Sequence, residues 1–205
     1  MTTERLSAQP GEPPGGSDPA WLADAKRVDA AVYAAITGIS TPALDPTIRK
    51  VSNAANYSRG WFAVAGLLAL VGGRAGRRAA VRGLLAIGVT SPTVNFAAKR
   101  LGRRPRPELP DDLVVARQVR MPTSASFPSG HAASAFAFST AVGSGLPIAA
   151  VPLHAAAGVV AYSRVHTGVH YPGDVVVGSI LGTVLAQLTT HVLDLYARSR
   201  ARPSP

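Results

Sequence analysis

Two histidines, one aspartate and a set of basic residues fall in three short clusters. The first is Lys99-Arg100-Leu101-Gly102-Arg103-Arg104-Pro105-Arg106-Pro107. The second is Pro128-Ser129-Gly130-His131, and the third runs from Ser163-Arg164 through His166 and His170 to Asp174. Cations combined with helix N-terminal amides make an anion site, and phosphate is the commonest such anion. Arg106 stands between two prolines. The residue before a proline is held extended, so this guanidinium is presented from a stiff backbone and suits bidentate contact with phosphate. Ser129 is a candidate N-cap for a helix opening at the second cluster, and Gly130 lets backbone approach a ligand closely. Pro172 fits the first turn of another helix. His170 then lies at its start with Asp174 four residues on, a spacing at which the side chains can meet. A carboxylate bonded to one imidazole nitrogen fixes the tautomer and leaves the other nitrogen free to attack. His131 can then act as general acid. This chemistry calls for no metal: there is no His-Glu-x-x-His stretch and no acidic grouping in the loops beyond Asp111 and Asp112. The chain has no cysteine, which excludes disulfides, zinc–thiolate sites and thiol nucleophiles.

The ordered pattern Lys-x6-Arg-Pro, Pro-Ser-Gly-His and Ser-Arg-x5-His-x3-Asp resembles the type 2 phosphatidic acid phosphatase superfamily. Lys99, Arg106 and Pro107 match its first motif, Pro128 to His131 its second, and Ser163, Arg164, His170 and Asp174 its third. The resemblance covers about Val51 to Tyr196. It implies a membrane phosphatase without cofactor, acting on a lipid phosphate monoester or diphosphate of phosphatidate, phosphatidylglycerophosphate, polyprenyl or lipid-linked sugar type. It implies that Lys99, Arg106 and Arg164 hold the phosphate oxygens, helped by Ser129 and the Gly130 amide. It further implies that His170 forms a phosphohistidine, that Asp174 orients it, and that His131 protonates the leaving oxygen and then activates water.

The elements that must position these residues are helices. The sequence is 47% hydrophobic with a mean hydropathy of +0.18 despite a formal charge of +10. A pI near 11 alone would point to a nucleic-acid binder. The basic residues, however, collect in polar gaps between apolar segments, as in membrane proteins, and aromatics are only 6%, leaving little on which bases could stack. Six candidate helices follow: about 21–40, 51–73, 79–99, 131–145, 147–162 and 172–196. The first either spans a bilayer or lies in its interface, because its uncharged stretch is shorter than the ~20 residues a span requires. Soluble helices carry a charged face at period 3.6, and the last three segments show none. The expected fold is therefore an all-α integral-membrane bundle over residues 21–197. A Pro- and Gly-rich, disordered tail occupies 1–20, and a basic tail occupies 198–205. Arg74, Arg77, Arg78 and Arg82 share one side with Arg198, Arg200 and Arg202. The positive-inside rule makes that side cytoplasmic, with both termini there and the three clusters on the extracytoplasmic face of the cell membrane. The oligomeric state is not legible in the sequence.

The remaining polar residues have plainer readings. Arg100, Arg103 and Arg104 are expected at headgroups or in solvent. His166 reads as an ordinary loop residue, His154 and His191 as hydrogen-bonded packing residues, and Arg59 and Arg82 as snorkelling side chains. Asp111, Asp112, Arg117 and Arg120 are placed at the substrate entrance. Two other functional classes stand beside the phosphatase. One is a non-catalytic lipid-phosphate-binding protein, against which the presence of His131, His170 and Asp174 argues. The other is a vanadate-dependent haloperoxidase, whose anion site is similar but whose members are larger and soluble.

Overall fold

The computed structural model describes residues 19–101 and 104–201. The tail placed at 1–20 therefore lies outside the described residues but for its last two, as do Arg103 and residues 202–205. The described chain is helical: α1 Ala20–Gly38, α2 Asp45–Ala54, α3 Arg59–Val71, α4 Gly73–Pro92, α5 Asp111–Arg117, α6 Gly130–Gly145, α7 Ala150–His166 and α8 Pro172–Ala201. The last continues through Arg198 and Arg200, so the first part of the basic segment placed at 198–205 is helix.

Two differences from the six-segment reading have local causes. The segment expected over 51–73 is broken by a tight turn at Asn56–Ser58, where Tyr57 and Ser58 both take positive φ near 57°. Neither residue is glycine, and the left-handed conformation costs an L-residue roughly 1–2 kcal/mol. No period in the apolar pattern announces such a turn. The loop after α4 also carries the short helix α5, which places Arg117 inside the protein.

Pro92 shapes the end of α4. It has no N–H to give to the preceding turn, and the chain widens into a π-helical turn over Thr93–Ala98 before a last α turn at Lys99–Leu101. Side chains cover backbone acceptors there: Thr93 Oγ1 donates to Val89 O at 2.7 Å and Asn95 Nδ2 to Ser91 O at 2.9 Å.

α6 is the central element. Ala132, Ala133, Ala135, Ala137, Phe138, Ala141 and Val142 are fully buried along it. The main core joins α3, α4, α6 and α7, with the Trp61 and Phe138 rings 5.3 Å apart. α8 packs on α6 through small residues. A Cβ added to Gly178 would lie 2.5 Å from Ser129 O, and one on Gly182 would lie 2.1 Å from Ala133 O. With Ala186, these residues make a small face at four-residue spacing that lets two backbones touch, the usual means of helix association in lipid. The opposite stripe of α8 is apolar and exposed at Val176, Ile180, Val184, Leu188 and Val192. Pro147–His166 and Pro172–Arg200 are each long and apolar enough to cross a bilayer. An outward apolar stripe along a helix of that length matches lipid as solvent.

Gly182→Val is expected to lower thermal stability in detergent by ~1–3 kcal/mol or more, because a backbone carbonyl must move. Gly158→Ala on α7, where an added Cβ meets nothing within 4 Å, should be neutral or stabilising by up to ~1 kcal/mol. Thermal unfolding of the two purified variants checks the contrast.

Candidate active site

A pocket of about 550 Å³ opens where the three clusters meet, lined among others by Lys99, Arg106, Gly130, His131 and His170. Lys99 arrives from the end of α4, Arg106 from the loop that follows, Gly130 and His131 from the start of α6, and His170 from the turn between α7 and α8. The π-helical turn puts Asn95 and Lys99 on the same wall. Gly130 leaves room for that wall, since a Cβ there would come within 2.9 Å of Asn95 Oδ1.

Each cation is held by hydrogen bonds within the protein. Arg106 donates through Nε to Pro122 O and Ser124 O at 3.1 and 3.2 Å, and through Nη1 to Val169 O at 2.7 Å. The same Nη1 is 3.4 Å from His170 Nε2. Lys99 Nζ donates to Ser124 Oγ at 3.0 Å. Arg164 is buried, and its Nη1 donates to Ser52 O and Ser52 Oγ at 3.0 and 2.7 Å. Its Nε and Nη2 are buried with no hydrogen-bond partner among the described residues. A buried donor without an acceptor costs roughly 1–3 kcal/mol, so two on one guanidinium mark a place for an anion.

His170 is buried, with Nδ1 3.6 Å from Asp174 Oδ2. Beside both stands Ser126, whose Oγ donates to Asp174 Oδ2 at 2.5 Å and lies 3.3 Å from His170 Nδ1. Asp174 Oδ2 also accepts from Tyr171 N at 2.9 Å, and Oδ1 from Arg104 Nη1 at 3.2 Å. His131 Nε2 is 3.1 Å from Asn56 Oδ1. Ser129 caps α6, its Oγ accepting from Ala132 N at 3.4 Å, while its own N donates to Asp174 O at 2.9 Å. The Ser129 hydroxyl is thus buried in the cap and sets the helix start, whereas Gly130 and His131 face the cavity.

Electrostatics follow from this crowding. Burial holds His170 down at about 4; Arg106 and Arg164 push the same way, and Asp174 opposes them. The imidazole is neutral at pH 7. Burial, then the charges of Arg106 and Arg164, bring Lys99 down to about 8. A neutral, nucleophilic imidazole beside three cations can accept a phosphoryl group while its oxygens are held.

Several plain readings of the sequence are corrected here. Arg104 does not face headgroups or solvent: it pairs with Asp29 of α1 at 2.5 Å, reaches Asp174 and covers the Tyr171 ring at 3.8 Å. His166 is no loop residue. It ends α7, buried, with Nε2 2.8 Å from Asp45 Oδ1, which also accepts from Arg117 Nε at 3.1 Å and Thr41 Oγ1 at 2.7 Å. Arg117 is therefore interior, while Arg120 lines the pocket and Asp111 and Asp112 are exposed. Arg82 is bonded to Asp194 across α4 and α8, and Arg59 lies against the Tyr57 ring. His154 is hydrogen-bonded to Ala150 O at 2.8 Å, whereas His191 is exposed. Arg100 is exposed. Sequence reasoning missed Ser52, Asn56, Asn95, Ser124 and Ser126. Their only signal is that isolated small polar residues stand beside the motifs or in apolar helices.

Comparison with known proteins decides the family. The sequence model of the PAP2 superfamily matches residues 79–197. The chain belongs to the PAP2 superfamily. It is 34% identical over 184 residues to the decaprenylphosphoryl-5-phosphoribose phosphatase of Mycobacterium tuberculosis, covering 87% of this chain and 98% of that one. It is 36% identical over 164 residues to the enzyme of the same name from Mycolicibacterium smegmatis, covering 77% and 84%. The crystal structure of Aquifex aeolicus LpxE superposes with a TM-score of 0.65 at 25% identity, over 80% of this chain and 95% of that one. The transmembrane PAP2-type phosphatidylglycerolphosphate phosphatase of Bacillus subtilis shares the fold, with a TM-score of 0.64 at 23% identity over 83% and 87% of the two chains. As a PAP2 protein with relatives named as phosphatases, the chain is a membrane-associated phosphoric monoester hydrolase.

The charge state of Lys99 gives a pH test. Below about 8 it is protonated and attracts phosphate; above, the charge is lost. We expect kcat/KM to fall above about pH 8, approaching tenfold per unit. Lys99→Arg, which stays charged, should shift that alkaline limb upward by at least a unit. A limb unmoved by the substitution assigns it to another group.

Proposed function

We propose that the protein hydrolyses the phosphate monoester of a polyprenyl-linked sugar phosphate through a phosphohistidine on His170, without a metal. The observation that carries the chemistry is the buried Arg164 with two unpartnered nitrogens, close enough to His170 and Lys99 for its charge to act on both. The substrate class is supported by the relatives named as decaprenylphosphoryl-5-phosphoribose phosphatases, one of which this chain matches over 98% of its length.

In the proposed first step, His170 Nε2 attacks phosphorus as the ester P–O bond breaks. The electron pair goes to the leaving oxygen, which takes a proton from His131. In the second, His131 removes a proton from water, the water oxygen attacks phosphorus, and the P–N bond electrons return to the imidazole. Lys99, Arg106, Arg164 and the Gly130 amide hold the phosphoryl oxygens throughout. The protein has little covalent chemistry to do, so positioning, and fixed cations placed where charge spreads over the phosphoryl oxygens, supply much of the rate. Ser129 contributes by fixing the start of α6, and Asp174 by orienting His170.

Antiparallel helices support the orientation. α4 runs from the Arg74–Arg82 end to the site, and α8 runs from the site back to Arg198 and Arg200. Arg77, Arg78, Arg82 and Leu193 line a common hollow at that basic end. We place this end and the C-terminus in the cytoplasm, and the site at the outer surface.

Phosphate release from purified protein should be fastest with a polyprenyl phosphoryl sugar phosphate, slower with phosphatidate and phosphatidylglycerophosphate, and unaffected by EDTA. His170→Ala should lower turnover by at least ~10³-fold, as expected for loss of a nucleophile. Activity abolished by chelation and restored by a divalent ion would overturn the metal-free scheme. Normal turnover in His170→Ala would overturn the nucleophile.

A further inference from the structure

The His170–Asp174 pair is not in direct contact. His170 Nδ1 and Asp174 Oδ2 are 3.6 Å apart, beyond a good hydrogen bond, and a hydroxyl beside them lies within hydrogen-bond distance of both. We infer that Ser126 is a positioning residue that relays the hydrogen bond from His170 to Asp174 and so sets the tautomer of the nucleophile.

Donor and acceptor accounting supports this. A serine hydroxyl has one proton, and at 2.5 Å that proton belongs to Asp174 Oδ2, because an ionised carboxylate only accepts. The Ser126 oxygen must then accept from its other neighbour, His170 Nδ1, at 3.3 Å. Nδ1 therefore carries the hydrogen, and Nε2 carries the lone pair. The second nitrogen gives the same answer independently. Nε2 lies 3.4 Å from Arg106 Nη1, and a guanidinium can only donate, so Nε2 is the acceptor. Both ends of the ring agree that the nitrogen on the pocket side is free to attack.

Ser126 is itself fixed. It is fully buried, and its backbone N donates to Arg104 O at 2.9 Å. Arg104 in turn holds the other oxygen of Asp174 and bonds Asp29 of α1, which accepts from Gly173 N at 2.7 Å. The carboxylate is thereby pinned on both oxygens: by Arg104 on one, and by Ser126 and Tyr171 N on the other. It cannot swing toward His170 without giving up these bonds. The hydroxyl, fixed beside both groups, offers His170 Nδ1 the nearer acceptor.

The inference rests on His170 as nucleophile, and the test separates the two claims. Full-length protein is assayed as wild type, His170→Ala, Ser126→Ala, Ser126→Thr, Asp174→Asn and the Ser126→Ala/Asp174→Asn double variant. We expect Ser126→Ala to lower kcat about 10–100-fold with little change in KM, the range for losing one charge-linked hydrogen bond. Ser126→Thr, which keeps the hydroxyl, should recover to within about threefold. Because Asp174 acts through Ser126, Asp174→Asn should cost far less in the Ser126→Ala background than in wild type. Ser126→Ala at wild-type turnover, Ser126→Thr as impaired as Ser126→Ala, or additive effects in the cycle would each overturn the relay. Should Ser126→Ala fail to fold, Ser126→Cys, of similar size but a weak donor, takes its place under the same criteria. An active His170→Ala would remove the underlying reading, whereas an inactive His170→Ala with a fully active Ser126→Ala would remove the relay alone.

Discussion

The structure is organised around an excess of positive charge in a place where water is scarce. Lys99 and Arg106 line one pocket, the buried Arg164 is near enough for its charge to act on Lys99 and His170, and Asp174 is the carboxylate that acts on Lys99, Arg106 and His170. Like charges at such range repel, and Arg164 is buried with two nitrogens unmatched. Each unmet donor costs roughly 1–3 kcal/mol, against a total stability of about 5–15 kcal/mol for a typical domain. The fold can carry this because carbonyls and hydroxyls satisfy part of each cation. Ser52 does so for Arg164; Pro122, Ser124 and Val169 do so for Arg106. What remains unmatched is the side that a phosphate would complete.

Close helix packing makes this grip possible. Gly178 and Gly182 let α8 lie against the backbone of α6, so the N-terminal ends of both helices arrive together. Ser129 N then donates to Asp174 O, a bond directly between those two ends. The same approach brings the second and third motifs into one pocket. Pro92 and the π-helical turn deliver the first motif from α4, with Lys99 at its end. Packing far down the helices and the spacing of reactive groups at their ends are thus one constraint.

A second ring of contacts lies outside the pocket and ties peripheral elements to it. Asp29 of α1 reaches Gly173 and Arg104, and Arg104 reaches Asp174. Asp45 of α2 gathers Arg117 from α5 and His166 from α7, and the same α2 carries Ser52 to Arg164. A buried ion pair of this kind contributes little net stability, since desolvation offsets much of its attraction, but breaking it leaves a charge stranded. Its effect is to fix where α2 and α5 lie, and so where Ser52 points.

The sequence alone determined the reactive groups and the elements that carry them. Motif spacing is local: Pro172 opening a helix, His170 and Asp174 four residues apart, and Ser129 as a cap all follow from backbone geometry within one turn. The apolar length of 172–196 and the basic gaps followed from composition, and the family from three motifs in order. Tertiary structure decided which polar residues pair across the chain. Arg104 with Asp29, His166 with Asp45 and Ser126 with His170 and Asp174 are separated by 75, 121 and 44–48 residues, and no local period records them. It also decided the break at Tyr57 and Ser58, two non-glycine residues in the left-handed conformation that local preference disfavours. The groups able to do the chemistry were legible because their spacing is short. The groups that hold them in place were not, because a single serine or arginine has meaning only once the fold has chosen its neighbour.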